Sequence, residues 1–67
     1  MVGVAIVVDK EVRDGILAVR NTGRTNMFDA EKVKEIAYEL GYAETKDWIE
    51  DHPSDYSKGI FEGFEVR

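Results

Sequence analysis

The chain has 67 residues and a net charge of −5, and it contains no cysteine and only one histidine, His52. A domain of this size buries only about 60% of the surface of its unfolded chain, so we expect marginal stability that depends on a helical core, on association, or on both. The composition excludes disulfides, cysteine-based zinc sites and histidine-rich metal sites. We therefore expect no metal and no cofactor.

The negative charge is concentrated in the second half. Residues 1–28 carry four basic and three acidic side chains, whereas residues 29–67 carry five basic and eleven acidic ones. An acidic domain repels the phosphate backbone, which disfavours nucleic acid as a partner. The apolar run at 2–8 is far shorter than the roughly 20 residues of a membrane span, and it has no features of a secretion signal. We expect a cytoplasmic protein without membrane association.

Residues 2–8 are apolar and β-branched, which favours a short strand, although a buried helical start fits the pattern as well. Asp9 follows and is expected to cap the first helix with its carboxylate. Gly23 is expected to end that helix in the left-handed conformation. Three apolar residues share one face of it, namely Val12, Ile16 and Val19.

After a loop at 24–28, Asp29 is expected to cap the second and clearest helix, which Gly41 ends. Ion pairs of Glu31 with Lys34 and of Lys32 with Glu35 add only about 0.2–0.5 kcal/mol each. The apolar stripe of this helix consists of Val33, Ile36, Ala37 and Leu40.

A third helix is predicted from about 43 to 51, with Trp48 and Ile49 facing inward, and Pro53 ends it. Ser54 is predicted to cap a short last helix, which Gly59 weakens and Gly63 closes. That helix holds three large apolar residues, namely Tyr56, Ile60 and Phe61. The tail at 64–66 alternates apolar and polar residues and suits a strand that pairs with residues 4–8, within one chain or between two copies.

The sequence therefore predicts a mainly α domain of three main helices and a short terminal one. The pattern also allows a short two-stranded β-ribbon that joins the termini. Residues 1–67 form one domain in this interpretation, with a strand-like opening at 1–9 and a helical region at 10–63.

A distinctive pattern lies between the first two helices, where Thr22 and Gly23 are followed, after two residues, by Asn26, Met27, Phe28 and Asp29. With this T-G-x-x-N-M-F-D pattern and the later segment at 48–52, the chain resembles a family of very short proteins, a domain of unknown function common in phages and prophages of Firmicutes and related bacteria. The likeness covers roughly 10–63. The family is more aromatic or aliphatic at four positions, Ala43, Thr45, Lys46 and Gly59, which implies looser packing of the third helix. The resemblance implies a phage or prophage accessory protein and lends no catalytic residues.

The loop between the first two helices is the best candidate for a partner-binding surface, because polar and basic side chains are concentrated there. The candidate residues are Arg13, Arg20, Asn21, Thr22, Arg24, Thr25 and Asn26. The alternative is ordinary loop chemistry, with Gly23 as a helix stop, Asn26 or Asp29 as a cap, and Met27 and Phe28 packed on the core.

Three other sets are weaker candidates. His52 with Asp47, Asp51 and Asp55 suggests a metal or acid–base site, although a lone histidine at a helix end is more typical of an exposed cap. Four aromatic residues suggest a platform for single-stranded nucleic acid, although Trp48 and Tyr56 better suit the core and Tyr38 lies off the apolar stripe of its helix; the four are Tyr38, Tyr42, Trp48 and Tyr56. An acidic face is typical of a solvated surface, and the alternative is an inhibitor that imitates the charge of nucleic acid; its residues are Glu31, Glu35, Glu39, Glu44, Glu50 and Asp51.

We therefore expect a non-enzymatic phage or prophage accessory protein that binds another protein, with a homodimer as an open alternative. The competing hypotheses are a nucleic-acid-associated module and an anti-defence inhibitor that uses the acidic surface.

Overall fold

The computed structural model describes residues 5–67, and the part of the predicted opening strand at 2–4 lies outside them. The described chain is mainly helical, as predicted, and its termini are joined by a short ribbon of two strands. In chain order the elements are β1 (Ile6–Val8), α1 (Lys10–Thr22), α2 (Ala30–Glu39), α3 (Ala43–Asp51), α4 (Pro53–Glu62) and β2 (Phe64–Val66). Over this range, no helix is both long and apolar enough to cross a membrane.

Local signals set the boundaries between α1 and α2. Gly23 ends α1 with φ of 65°, a left-handed conformation that glycine adopts without steric cost. The carboxylate of Asp29 accepts a hydrogen bond of 3.2 Å from the backbone N–H of Lys32 and so caps α2. Both predictions are confirmed.

Of the two other predicted caps, the one at Ser54 is wrong, and the one at Asp9 is confirmed in position but not in its hydrogen bond. Ser54 lies inside α4, which begins at Pro53 after a cap at His52. Proline suits the first helical position because that N–H has no intrahelical partner and the ring presets φ. Asp9 occupies the N-cap position of α1, but its carboxylate pairs with Nε of Arg67 at 2.9 Å and accepts no backbone N–H.

The strands β1 and β2 pair in parallel, with Ile6 opposite Phe64. The pairing is bounded by a hydrogen bond of 3.0 Å from the N–H of Ile6 to the carbonyl of Gly63 and by one of 3.1 Å from Arg67 to Val8. The observed ribbon is intramolecular.

The core lies where all four helices and β1 meet. Leu40 was predicted on the apolar stripe of α2 but is 41% exposed, and Phe61 of α4 is 84% exposed. Leu40 is the cap residue that follows α2, and Phe61 lies one position beyond the inward face of α4. The buried apolar residues are Val8, Val12, Ile16, Val19, Val33, Ile36, Ala37, Ile49 and Tyr56.

Two glycines permit close contacts that the sequence did not reveal. Thr45 is fully buried, and its hydroxyl donates to the carbonyl of Glu11 at 3.1 Å. A Cβ at Gly15 would overlap that hydroxyl, so the crossing of α1 and α3 depends on glycine there. At Gly59 a Cβ would overlap the ring of Phe64, so this glycine is a packing position and not only a weak point of α4.

Candidate functional site

A groove of about 460 Å³ lies between α1 and α4, next to the start of β2. One wall comes from α1, and the other comes from the loop before α2, the end of α4 and the start of β2. The lining residues are Arg13, Ile16, Leu17, Arg20, Met27, Gly59, Ile60, Gly63 and Phe64. We refer to these residues as the α1–α4 groove.

The α1 wall follows helical spacing. Arg13, Ile16, Leu17 and Arg20 stand at positions i, i+3, i+4 and i+7, so they share one face of the helix. The two arginines lie about 10.5 Å apart along the axis, since each residue advances an α-helix by about 1.5 Å. The groove therefore places an apolar strip between two positive charges.

Ion pairing distinguishes these two arginines from most other cations in the chain. Six of the nine lysines and arginines lie within 4.0 Å of a carboxylate, namely Lys10, Arg24, Lys32, Lys34, Lys46 and Arg67. Over residues 5–67, Arg13 and Arg20 have no such partner, and the groove lining contains no acidic residue. The groove is therefore locally positive, although the protein as a whole is acidic.

The guanidinium of Arg13 is incompletely satisfied. Its Nε atom is buried and makes no hydrogen bond within the described part of the chain. A buried donor without a partner costs about 1–3 kcal/mol, and native proteins retain few of them. Because the atom is buried, an acceptor supplied by a ligand would satisfy this donor only after the Arg13 side chain moves.

The opposite wall is held in place by a buried tyrosine. The hydroxyl of Tyr56 donates a hydrogen bond of 2.5 Å to the carbonyl of Met27, and its ring lies 6.2 Å from that of Phe64. Burial raises the pKa of Tyr56 to about 12, so the phenol is neutral at physiological pH. Met27 and Phe64 are therefore fixed relative to α4.

Two exposed aromatic residues flank this wall in the chain. Phe28 follows Met27 and is 57% exposed, and Phe61 follows Ile60 and is 84% exposed. Their rings meet edge to face with centroids 6.3 Å apart. Aromatic residues, phenylalanine included, are enriched at the centres of protein interfaces.

The structure places only some of the predicted site residues in the groove. Arg13 and Arg20 line the groove, but Arg24 turns to α2 and donates to a carboxylate oxygen of Glu39 at 2.6 Å. The hydrogen bond from Arg24, together with its charge, lowers the pKa of the Glu39 carboxyl. Arg24 is therefore already engaged by its own chain.

The polar loop residues mainly make local contacts. The Thr22 hydroxyl donates to the carbonyl of Val19 at 2.6 Å, and the side-chain oxygen of Asn26 accepts from the backbone N–H of Phe28 at 2.8 Å. The hydroxyl of Thr25 has only a 3.5 Å contact with a backbone oxygen, and Asn21 is exposed. These observations fit the loop-chemistry alternative for this part of the predicted site.

Sequence reasoning missed the apolar part of the groove. Leu17 could have been found from its position between Arg13 and Arg20 on one helical face. No local signal connects these residues to Ile60 or Phe64, because that contact depends on how α4 and β2 return to α1.

The aromatic and histidine candidates are dispersed. Tyr56 is fully buried, whereas Tyr38 is 65% exposed, so the four aromatic residues do not form one platform. His52 stacks on Trp48 with ring centroids 5.1 Å apart, and its Nδ1 lies 3.0 Å from the carbonyl oxygen of Trp48. Within residues 5–67, no three histidine or carboxylate side chains are grouped as metal ligands.

The acidic face is largely neutralised by nearby lysines and an arginine. The ion pairs are Glu31 with Lys34, Glu35 with Lys32, Glu39 with Arg24, and Glu50 with Lys46.

One family model, described as Domain of unknown function (DUF5049), matches residues 8–64. The chain belongs to the DUF5049 family. No curated protein and no solved structure matches it. The DUF5049 match includes every residue of the α1–α4 groove and both exposed phenylalanines. The resemblance to a family of unknown function over 10–63 is thus confirmed at the level of the family.

Proposed function

We propose that this chain is a non-enzymatic phage or prophage accessory protein of the host cytoplasm that binds another protein through the α1–α4 groove. The observation that carries the proposal is the pair Arg13 and Arg20, which lack an ion pair and line an apolar groove without carboxylates. Apolar surface combined with available arginines is typical of protein interfaces. The phage setting is supported by the resemblance of residues 22–29 to short phage proteins.

The chemistry of the groove supports binding rather than catalysis. Its only titratable side chains are Arg13 and Arg20, and arginine remains protonated in proteins. The lining contains no histidine, carboxylate, cysteine or hydroxyl group to act as a base or nucleophile.

The nucleic-acid alternative uses the same arginines, since a guanidinium also binds phosphate well. It leaves Leu17 and Ile60 without a role, and the net charge of −5 opposes approach to a polyanion. The anti-defence alternative depends on the acidic face. Most carboxylates of that face already pair with cations of this chain, which weakens this alternative.

The proposal is tested by affinity capture from host lysate with wild type, Arg20→Ala and Arg24→Ala, each with and without nuclease. Arg20 and Arg24 form a matched pair, because both are exposed arginines near the same loop and only Arg20 lines the groove. We expect a protein that survives nuclease treatment, is retained by Arg24→Ala, and is lost with Arg20→Ala.

Two results would contradict the proposal. Equal retention by wild type and Arg20→Ala would place the binding surface elsewhere. Retention that disappears with nuclease would favour the nucleic-acid module. Thermal unfolding of each variant confirms that it is folded under the capture conditions.

A further inference from the structure

We propose that the α1–α4 groove accepts an acidic amphipathic helix of the partner protein, with two carboxylates two turns apart and apolar side chains between them. This inference rests on the proposed function and adds the chemistry of the partner segment.

Charge defines the ends of the ligand. Arg13 and Arg20 lack a carboxylate partner over residues 5–67, and Nε of Arg13 is a buried donor without an acceptor. A guanidinium presents a planar fork of donors that matches a carboxylate through two hydrogen bonds. Because the groove has no acidic residue, the ligand has to supply both carboxylates.

Spacing defines the conformation of the ligand. The two arginines are seven residues apart on α1, which corresponds to about 10.5 Å along the axis. Carboxylates at positions i and i+7 of a partner helix repeat that distance on one face. In an extended segment the nearest match is i and i+3 at about 10 Å, but these side chains point to opposite faces. A helix is therefore the element that can bind both arginines at once.

The apolar strip defines the middle of the ligand. Ile16 and Leu17 lie between the arginines, and Ile60 and Phe64 face them from the other wall. Apolar residues at i+3 and i+4 of the partner helix fall between its two carboxylates. A groove of about 460 Å³ has room for a few such side chains. This is the helix-in-groove mode of recognition, in which a few apolar side chains anchor an amphipathic helix.

Symmetry disfavours a second copy of this chain as the occupant. A two-fold dimer centred on the groove would place the same surface of both copies face to face. Arg13 and Arg20 of one copy would then oppose those of the other without an intervening carboxylate, and such like-charge contacts are unfavourable. The groove suits a different chain.

The test is a selection of displayed random peptides of about 15 residues, roughly four helical turns, against the full chain. Binders that also bind Arg20→Glu are removed by counter-selection. We expect an enriched pattern with Asp or Glu at two positions seven apart and apolar residues three and four positions after the first. The corresponding synthetic peptide should shift the amide resonances of Leu17 and Ile60 in the labelled full chain.

Affinity measurements at physiological salt complete the test. We expect Arg20→Glu to weaken the selected peptide by about tenfold or more, and Arg24→Ala to leave its affinity unchanged. Replacing the matching acidic residue of the peptide by lysine should restore affinity for Arg20→Glu. Leu17→Gln provides a second groove variant, which changes the apolar strip without placing a new charge beside either arginine, and it should also weaken the selected peptide.

Three outcomes would overturn the inference: a selection without groove-dependent binders, an enriched pattern without paired acidic residues, or a DNA oligonucleotide that produces the same shifts at the same salt. If lysate capture depends on Arg20 while the peptide selection fails, the proposed function stands and only the helix chemistry is wrong. If lysate capture does not depend on Arg20, the proposed function itself is wrong.

Discussion

The phenol hydroxyl of Tyr56 donates a hydrogen bond of 2.5 Å to the backbone carbonyl of Met27. This bond joins α4 to the loop that carries the family-like T-G-x-x-N-M-F-D segment, 29 residues earlier in the chain. Met27 lines the α1–α4 groove, and Tyr56 is fully buried beneath it. The core of the domain therefore holds one wall of the candidate site in position.

Replacing Tyr56 by phenylalanine should lower the free energy of unfolding by about 1–2 kcal/mol, because it leaves the Met27 carbonyl without its partner. Urea denaturation measures this change. Tyr38→Phe is the matched control, since Tyr38 is 65% exposed, and it should change stability by less than about 0.5 kcal/mol. Equal effects of the two variants would show that the hydrogen bond does not stabilise the fold.

Tyr56 should also contribute to alkaline unfolding. Burial raises its pKa from the ordinary value of 10.0 to about 12. Between these pH values the unfolded chain has released a proton that the folded chain retains, so raising the pH lowers the free energy of unfolding. The contribution is fully present below pH 10 and is lost as the pH rises through about 12. Tyr56→Phe should therefore lose less stability than wild type across this range in urea titrations at fixed pH.

The parts of the fold that could be predicted from the sequence are those that depend on neighbouring residues. Gly23 and Asp29 end α1 and cap α2 through contacts within three residues along the chain. Ser54 was a wrong prediction of the same kind, because Pro53 competes for the helix start and suits the first helical position better.

The parts that could not be predicted depend on contacts between distant segments. The buried hydroxyl of Thr45 bonds to the carbonyl of Glu11, 34 residues earlier, and Gly59 packs against the ring of Phe64 across the bend at Gly63. The candidate site shows the same division. Arg13 and Arg20 were predicted from the concentration of polar and basic side chains around one loop, whereas the facing apolar wall results from tertiary packing that periodicity does not encode.

Replacing Gly15 by alanine should destabilise the domain by about 1–3 kcal/mol, because the added methyl overlaps the Thr45 hydroxyl at the crossing of α1 and α3. A double variant with Gly15→Ala and Thr45→Ala isolates the steric effect, because Thr45→Ala removes the hydroxyl that the added methyl overlaps. If the overlap is the cause, the double variant should be more stable than the sum of the two single effects predicts. Strict additivity in urea denaturation would contradict this interpretation.

Replacing Arg13 by methionine should leave stability unchanged or raise it by up to about 1 kcal/mol, because it removes a buried donor without a partner and keeps the aliphatic stem. The same substitution should abolish capture of the partner. A gain in stability with a loss of binding is the expected signature of a residue retained for function. A stability loss above about 1 kcal/mol in urea denaturation would show instead that Arg13 supports the fold.

A pair of carboxyl groups beside the α1–α3 contact, Glu11 and Glu44, should make stability depend on pH in the acidic range. A hydrogen bond with Glu11, followed by the negative charge of Glu11, raises the pKa of the Glu44 carboxyl above 4.5, and Asp9 and Asp47 act in the same direction. A carboxyl whose pKa is raised in the folded state stabilises the fold below its unfolded pKa, and this contribution is lost as the pH rises through the folded value.

Replacing Glu44 by glutamine should therefore raise the melting temperature at neutral pH, where the carboxylates repel one another. The gain should shrink on acidification toward pH 4.5, because the wild-type carboxyl then becomes neutral as well. Glu50→Gln is the control on the same helix, since Glu50 pairs with Lys46 at 3.2 Å, and it should not raise the melting temperature at any pH. A lower melting temperature for Glu44→Gln at neutral pH would mean that Glu44 forms a favourable contact that outweighs this repulsion.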